Sequence, residues 1–206
     1  EYGDRVCLMG KVMGPWTLSY HLYGVQNLLM DTILNPDRVR RFLEKLKEAS
    51  LLFANAQFAA GADVVTWCDH LTGDLAGPNT YRDFLMPVHQ EITKKVSGPL
   101  ILHTCGRTTD RMGYIATAGF AAFHFDSKNN LDEAVAVAKR EKLLLTGDIN
   151  NPDVLLGGTP EDVRKDVIDA LKVGITIISP ECAIPIRTPN ANLKTIVDTV
   201  REYCFQ

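Results

Sequence analysis

Short apolar runs alternate with longer amphipathic stretches along almost the whole chain. The runs Val6–Met9, Asp63–Trp67, Pro99–His103, Ala121–Phe125, Leu143–Thr146 and Ile175–Ser179 predict strands. They are short and mostly apolar on both faces, the pattern of parallel strands buried between helices. Between them, Pro36–Ala60, Thr80–Val96, Thr109–Ala118, Leu131–Arg140, Pro160–Val173 and Asn192–Tyr203 carry apolar residues at helical spacing. Asn35-Pro36 sets a cap residue before a first-turn proline, and Thr159-Pro160-Glu161-Asp162 approximates a capping box. Gly61, Gly119 and Gly174 each close a helix before a strand, where a left-handed residue is wanted.

Strands alternating with helices imply right-handed crossovers and a parallel sheet. Two α/β architectures satisfy that pattern, an open doubly wound sheet and a (β/α) barrel of the TIM type. No strand is followed by a Gly-x-Gly-x-x-Gly turn, so the dinucleotide fingerprint is missing. Polar and metal-capable residues sit instead at the carboxyl ends of the strands: Cys68-Asp69-His70, His103-Thr104-Cys105, Asp126, Gly147-Asp148 and Glu181-Cys182. A barrel gathers such ends at one mouth, where its chemistry is carried out. The prediction is therefore a single barrel domain over residues 1–206. It is an incomplete one, because six βα units fall short of the eight, spread over about 250 residues, of a closed barrel. Either two units precede residue 1 in a longer parent, or another chain covers the sheet edges.

Composition narrows the function classes. With 206 residues, 46% of them hydrophobic and 23% charged, the chain can bury a sizeable core. A net charge of −3 gives no reason to expect nucleic acid or an anionic membrane as partner. No apolar run approaches the roughly 18 residues of a membrane span, and the first residues lack a signal-peptide pattern. The expectation is a cytoplasmic protein. Its five cysteines are odd in number and scattered, which favours free thiols or metal ligands over a disulfide framework.

The chemistry centres on His103-Thr104-Cys105-Gly106, directly after an apolar run. In extended chain, residues i and i+2 point to the same side, so His103 and Cys105 can grip one ion. A third soft ligand, Cys182, follows the last strand. One imidazole and two thiolates leave a tetrahedral zinc with an open position, the arrangement of a catalytic site. Asp69, Asp126 and Asp148 each follow a strand and are candidates to orient His103, complete the metal shell or handle a proton; the alternative is that each caps a turn. Cys68 and His70 are weaker candidate ligands, and His124, pointing opposite to Phe123 and Phe125, reads as a packing residue.

The stretch Leu102-His103-Thr104-Cys105-Gly106, then Thr108-Thr109, Gly119-Phe120 and Asp126, resembles the His-x-Cys zinc segment of the methylcobamide:coenzyme M methyltransferase branch of the uroporphyrinogen decarboxylase family. Gly147-Asp148-Ile149-Asn150, the run 155–163, and Pro180-Glu181-Cys182-Ala183-Ile184-Pro185 with Arg187-Thr188-Pro189-Asn190 are similar to later parts of those proteins, and Gly14-Pro15-Trp16-Thr17-Leu18 is similar to a segment of the wider family. The likeness covers the chain and about the carboxyl-terminal two thirds of a typical member. Two positions depart from the pattern: Glu181 stands where glycine is expected and Ser127 where relatives often carry an acid, which leaves the fourth ligand open. The resemblance implies methyl transfer from a corrinoid (methylcobalamin) held on a partner protein to a thiol such as coenzyme M. Zinc on His103, Cys105 and Cys182 would generate the nucleophile. Arg187 is then a candidate for an anionic group, and Trp16 and Tyr20, in a loop after Gly14-Pro15, are candidates to line the corrinoid approach. A homo-oligomer is compatible with this reading. The alternatives are a cofactor-free decarboxylase of the same family and a non-catalytic module that binds a corrinoid protein.

Overall fold

The computed structural model describes residues 5–204. Its sheet has six parallel strands in the order β1-β2-β3-β4-β5-β6, each paired with the next in sequence. They are β1 (Met9–Met13), β2 (Val64–Cys68), β3 (Leu100–His103), β4 (Ala122–Phe125), β5 (Leu145–Ile149) and β6 (Ile177–Pro180). A doubly wound sheet reverses its strand order part-way and places helices on both faces. Sequential order with right-handed crossovers keeps every helix on one side, so the sheet curls into an open (β/α) barrel.

The helices are α1 (Pro15–Tyr23), α2 (Val25–Leu34), α3 (Pro36–Ala59), α4 (Pro78–Thr80), α5 (Met86–Lys95), α6 (Met112–Ala116), α7 (Leu131–Glu141), α8 (Pro160–Val173) and α9 (Asn190–Cys204). None is long and apolar enough to cross a membrane. Strand alternation explains the layers. Val12, Val65, Trp67, Leu102, Phe123, Phe125 and Ile149 point outward and are buried beneath the helices in one continuous core. The inner face carries a separate small apolar cluster, Val64, Ile101 and Ala122, below a polar rim. Thr159 and Asp162 form the reciprocal capping box of α8, and Gly174 ends that helix at φ +100°.

Several local expectations need correction. The first strand lies at Met9–Met13, not Val6–Met9. Its register is set by pairing with β2, Met9 opposite Val64 through Met13 opposite Cys68, and Lys11 in its middle disguised it as polar chain. Residues after Gly14 form helices α1 and α2, not a loop. Trp16 and Leu28 are wholly buried there, and the apolar residues form no simple stripe. The stretch Thr80–Val96 is not one regular helix: a π-helical turn (Tyr81–Leu85) joins α4 to α5 beside Pro87. A 3₁₀ turn (Thr109–Arg111) likewise precedes the short α6.

Candidate metal centre

Parallel strands in sequential order bring their carboxyl ends to one rim. His103 is the last residue of β3, and Cys105 follows two positions later on the same side. Cys182 leaves the end of β6. Cys105 Sγ lies 3.1 Å from His103 Nε2 and 3.0 Å from Cys182 Sγ, across 77 residues of sequence. The sulfur separation is well beyond the roughly 2.05 Å of a disulfide, and both cysteines are free. Burial and the shared hydrogen bond divide one proton unequally between the thiols. The hydrogen bond from Cys105 pushes the Cys182 thiol far below its usual range, and the same contact pushes that of Cys105 up.

The imidazole is oriented for ligation. His103 Nδ1 sits 3.2 Å from the backbone oxygen of His124, where it can only donate. The other ring nitrogen, Nε2, faces the sulfur, which is the way metal-binding histidines are held. His124 itself directs Nε2 to the carbonyl of Pro180 at 2.9 Å. Burial, helped by the nearby His103, pushes His124 down to about 4, so its ring is neutral at pH 7. His70 receives the Cys105 amide on Nδ1 at 3.2 Å and is also pushed down, chiefly by burial. Ligand atoms of His70, His103 and Cys105 lie within 4.8 Å of one another. Because the amide occupies one nitrogen of His70, its proton rests on the other.

The loops are held by a dense set of bonds. Gly106 adopts φ +86° and donates its N–H to the buried carboxylate of Asp126. A Cβ there would meet Thr72 Oγ1 at 2.3 Å, so only glycine makes the turn after Cys105. Glu181, buried at 8% exposure, accepts from Ser127 N at 2.9 Å, Ser127 Oγ at 2.5 Å and Asn151 N at 2.8 Å. One carboxylate thus ties the loops after β4 and β5 to the residue preceding Cys182. His103 and Cys182 open onto a cavity of about 410 Å³ inside the barrel, lined also by Cys68, His70 and His124.

Sequence comparison bears on this arrangement. The profile of uroporphyrinogen decarboxylase (URO-D) matches residues 1–203. The chain belongs to the uroporphyrinogen decarboxylase family. It is 31% identical over 206 residues to the methylcobamide:CoM methyltransferase MtaA of Methanosarcina barkeri, covering 98% of this chain and 60% of that protein. It is 26% identical to the methylated-thiol–coenzyme M methyltransferase of Methanosarcina mazei, covering 98% of this chain and 55% of the relative. Among solved structures, a methyltransferase from Methanosarcina mazei superposes with a TM-score of 0.91 at 29% identity, over 96% of this chain and 59% of that one. The chain therefore spans about three fifths of the length of the relatives it matches.

The carboxylate and aromatic candidates of this family member have other partners or other places in the fold. Asp69 turns its carboxylate to the helical side: Oδ1 accepts from Thr17 N at 2.8 Å and Oδ2 faces His89 Nε2 at 3.0 Å. Asp126 is spent on the amides of Gly106 and Lys128. Asp148 lies at φ +74°, and burial with neighbouring Asp166 raises it to about 6. Trp16 is in the helix-side core and its indole donates to Tyr20, whose hydroxyl in turn donates to the carbonyl of His70 at 3.0 Å. Neither aromatic lines the cavity, and Arg187 is exposed on the loop between β6 and α9. Sequence reasoning passed over Lys11, His89 and the bridging role of Glu181. Glycine's absence at position 181 was the one visible signal among them.

Proposed function

We propose that this chain carries the zinc-binding, thiol-activating site of a methyltransferase that moves a methyl group from a corrinoid on a partner protein to a thiol such as coenzyme M. The observation behind this reading is that the Cys105 sulfur meets the His103 imidazole at 3.1 Å and the Cys182 sulfur at 3.0 Å, where His103 and Cys182 line a cavity large enough for a small substrate. Two sulfurs and one imidazole are the donors zinc prefers, and three protein ligands leave a fourth position for an incoming group. The similarity to proteins named as methylcobamide:CoM methyltransferases supports the same direction.

Zinc held there would supply the Lewis acidity that lets a substrate thiol lose its proton and remain nucleophilic. The protein's own residues do the positioning. The carbonyl of His124 fixes the His103 ring, the Gly106 turn and Asp126 fix Cys105, and Glu181 fixes the backbone ahead of Cys182. Ile101, Ile177 and Ile184 add apolar surface to the cavity wall. Elemental analysis tests the reading, together with methyl transfer from methylcobalamin to 2-mercaptoethanesulfonate. One zinc per chain is expected, lost in Cys182→Ala along with transfer. Folded wild-type protein that takes up no zinc, or that transfers methyl groups equally well without it, overturns the proposal.

A further inference from the structure

His70 is held on three sides. Its backbone N–H donates to Thr17 Oγ1 at 2.8 Å, its carbonyl accepts from the Tyr20 hydroxyl at 3.0 Å, and its ring Nδ1 accepts from the Cys105 amide at 3.2 Å. Tyr20 is in turn held by the indole of the buried Trp16. Helix α1 thus fixes the backbone, and the loop that carries Cys105 fixes the ring. A side chain anchored at both ends presents its remaining polar atom in one direction only.

The bond at Nδ1 decides what the other nitrogen can do. An imidazole nitrogen that accepts an N–H has its lone pair engaged, so the ring proton is on Nε2. A metal takes a lone pair, and neither nitrogen of His70 has one to spare. His70 is therefore a hydrogen-bond donor and not a ligand, although it stands beside the ligands. One nitrogen each of His70 and His103 and the sulfur of Cys105 lie within 4.8 Å of one another, and the two rings are perpendicular with centroids 5.3 Å apart. The His70 ring lines the cavity with His103 and Cys182. Among the described residues no protein group accepts a hydrogen bond from its Nε2.

The geometry points to His70 as the residue that donates a hydrogen bond, from Nε2, to a substrate sulfur bound at His103, Cys105 and Cys182. The inference rests on the thiol-activating reading above and adds the group that holds the activated sulfur. Once the thiol has lost its proton to solvent its sulfur is anionic, and a fixed N–H favours that form over the neutral thiol. His70 keeps its own proton throughout.

Two substitutions separate the donor from the anchor. In His70→Asn the side-chain oxygen takes the place of Nδ1 and keeps the Cys105 amide bonded, but nothing replaces the Nε2 proton. In His70→Gln the side-chain NH2 reaches the position of Nε2, and the bond to the amide is lost. Calorimetric titration of the zinc-loaded protein with 2-mercaptoethanol, beside chelator competition for zinc, reads both without relying on turnover. His70→Asn is expected to bind the thiol at least about tenfold more weakly than wild type at unchanged zinc affinity. His70→Gln should recover most of the thiol binding at a lower thermal midpoint. Equal thiol binding by wild type and His70→Asn overturns this inference alone, as does His70→Gln binding no better than His70→Asn. A fall of about 100-fold in zinc affinity in His70→Asn also overturns it, since that would make His70 a ligand. Should His70→Asn fail to fold, His70→Gln against His70→Leu makes the same comparison, and equal thiol binding by those two overturns the inference. Zinc-loaded wild-type protein that binds no thiol overturns the thiol-activating reading, and this inference with it.

Discussion

Asp69 and His70 are neighbours in the chain yet belong to opposite sides of the sheet. Behind it, Asp69 joins His89 and Tyr81 in a chain whose members are all buried. Tyr81 meets His89 Nδ1 at 3.0 Å, His89 Nε2 meets the carboxylate at 3.0 Å, and the second oxygen takes the Thr17 amide. Tyr81, His89 and Asp69 are all hydrogen-bonded, and the packing leaves no space: a Cβ on Gly14 would come within 2.3 Å of the Asp69 carboxylate. In front, His70 looks onto two sulfurs and an imidazole nitrogen that face one another. A satisfied buried network stabilises a fold. Electron-rich atoms converging on an open cavity are arranged for something that is not protein. Two clusters of similar composition are thus separated by one strand end, and on the proposed reading the rear one serves the structure and the front one the chemistry.

The sharpest way to break that division is to alter the front cluster and find that the fold suffers instead. Cys105→Ala or Cys182→Ala should weaken zinc binding by more than about 100-fold, beyond what loss of an outer partner causes. The metal-free thermal midpoint should stay put. Competition with a chromogenic chelator and a thermal scan would read both, and a large fall in stability with zinc binding intact would reverse the assignment.

The converse applies behind the sheet. His89→Leu strands a buried carboxylate and should cost about 3 to 5 kcal/mol, lowering the midpoint by roughly 10 °C. Zinc content per folded molecule should be unaffected. Loss of zinc at unchanged stability would show the rear cluster to be part of the site.

Glu181 sharpens the comparison because it belongs to the front rim but is satisfied like the rear. Glu181→Gln keeps one acceptor oxygen and turns an NH2 toward a backbone or hydroxyl donor. Zinc affinity should fall about tenfold through the loosened Cys182, with a smaller loss of stability. Unchanged affinity would separate this carboxylate from the metal site.

The smallest effect expected is at Asp148. Its folded-state value is raised to about 6 from the ordinary 3.8, chiefly by burial. The folded protein therefore binds more protons than the unfolded chain between about pH 4 and 6, and stability declines as pH rises through that window. Asp148→Asn removes the penalty, and asparagine tolerates the left-handed backbone at this position. A gain of about 1 kcal/mol is expected above pH 6, reduced by water at this half-buried site and vanishing below about pH 4. Denaturant melts at pH 4 and 7 would show it, and a gain of equal size at both would attribute it to backbone strain.

Much of the scaffold was legible in the sequence for a local reason. Apolar runs between capped helices mark each βα unit, and Thr159 with Asp162 and the glycine after α8 mark their boundaries by hydrogen bonds spanning a few residues. What escaped had no local signature. Helices α1 and α2 carry apolar residues on several sides, and α2 buries only Leu28 of them while Met30, Ile33 and Leu34 stay exposed, so no clean stripe announces them. The strand β1 hid behind Lys11, a charge in the middle of an otherwise uncharged run whose place on a cavity wall appears only in the folded sheet. His89 lies on a helix like any other and becomes notable only against Asp69.

The candidate metal centre divides along the same line. That His103 and Cys105 share a side follows from strand alternation alone, a property of the peptide backbone that any reader of the sequence can apply. That Cys182 joins them, and that Asp69 and Trp16 turn away, depends on strand order and on the curl of the sheet. Those are set by the summed packing of the whole helical layer on the outward-facing residues, not by any segment of the chain in isolation.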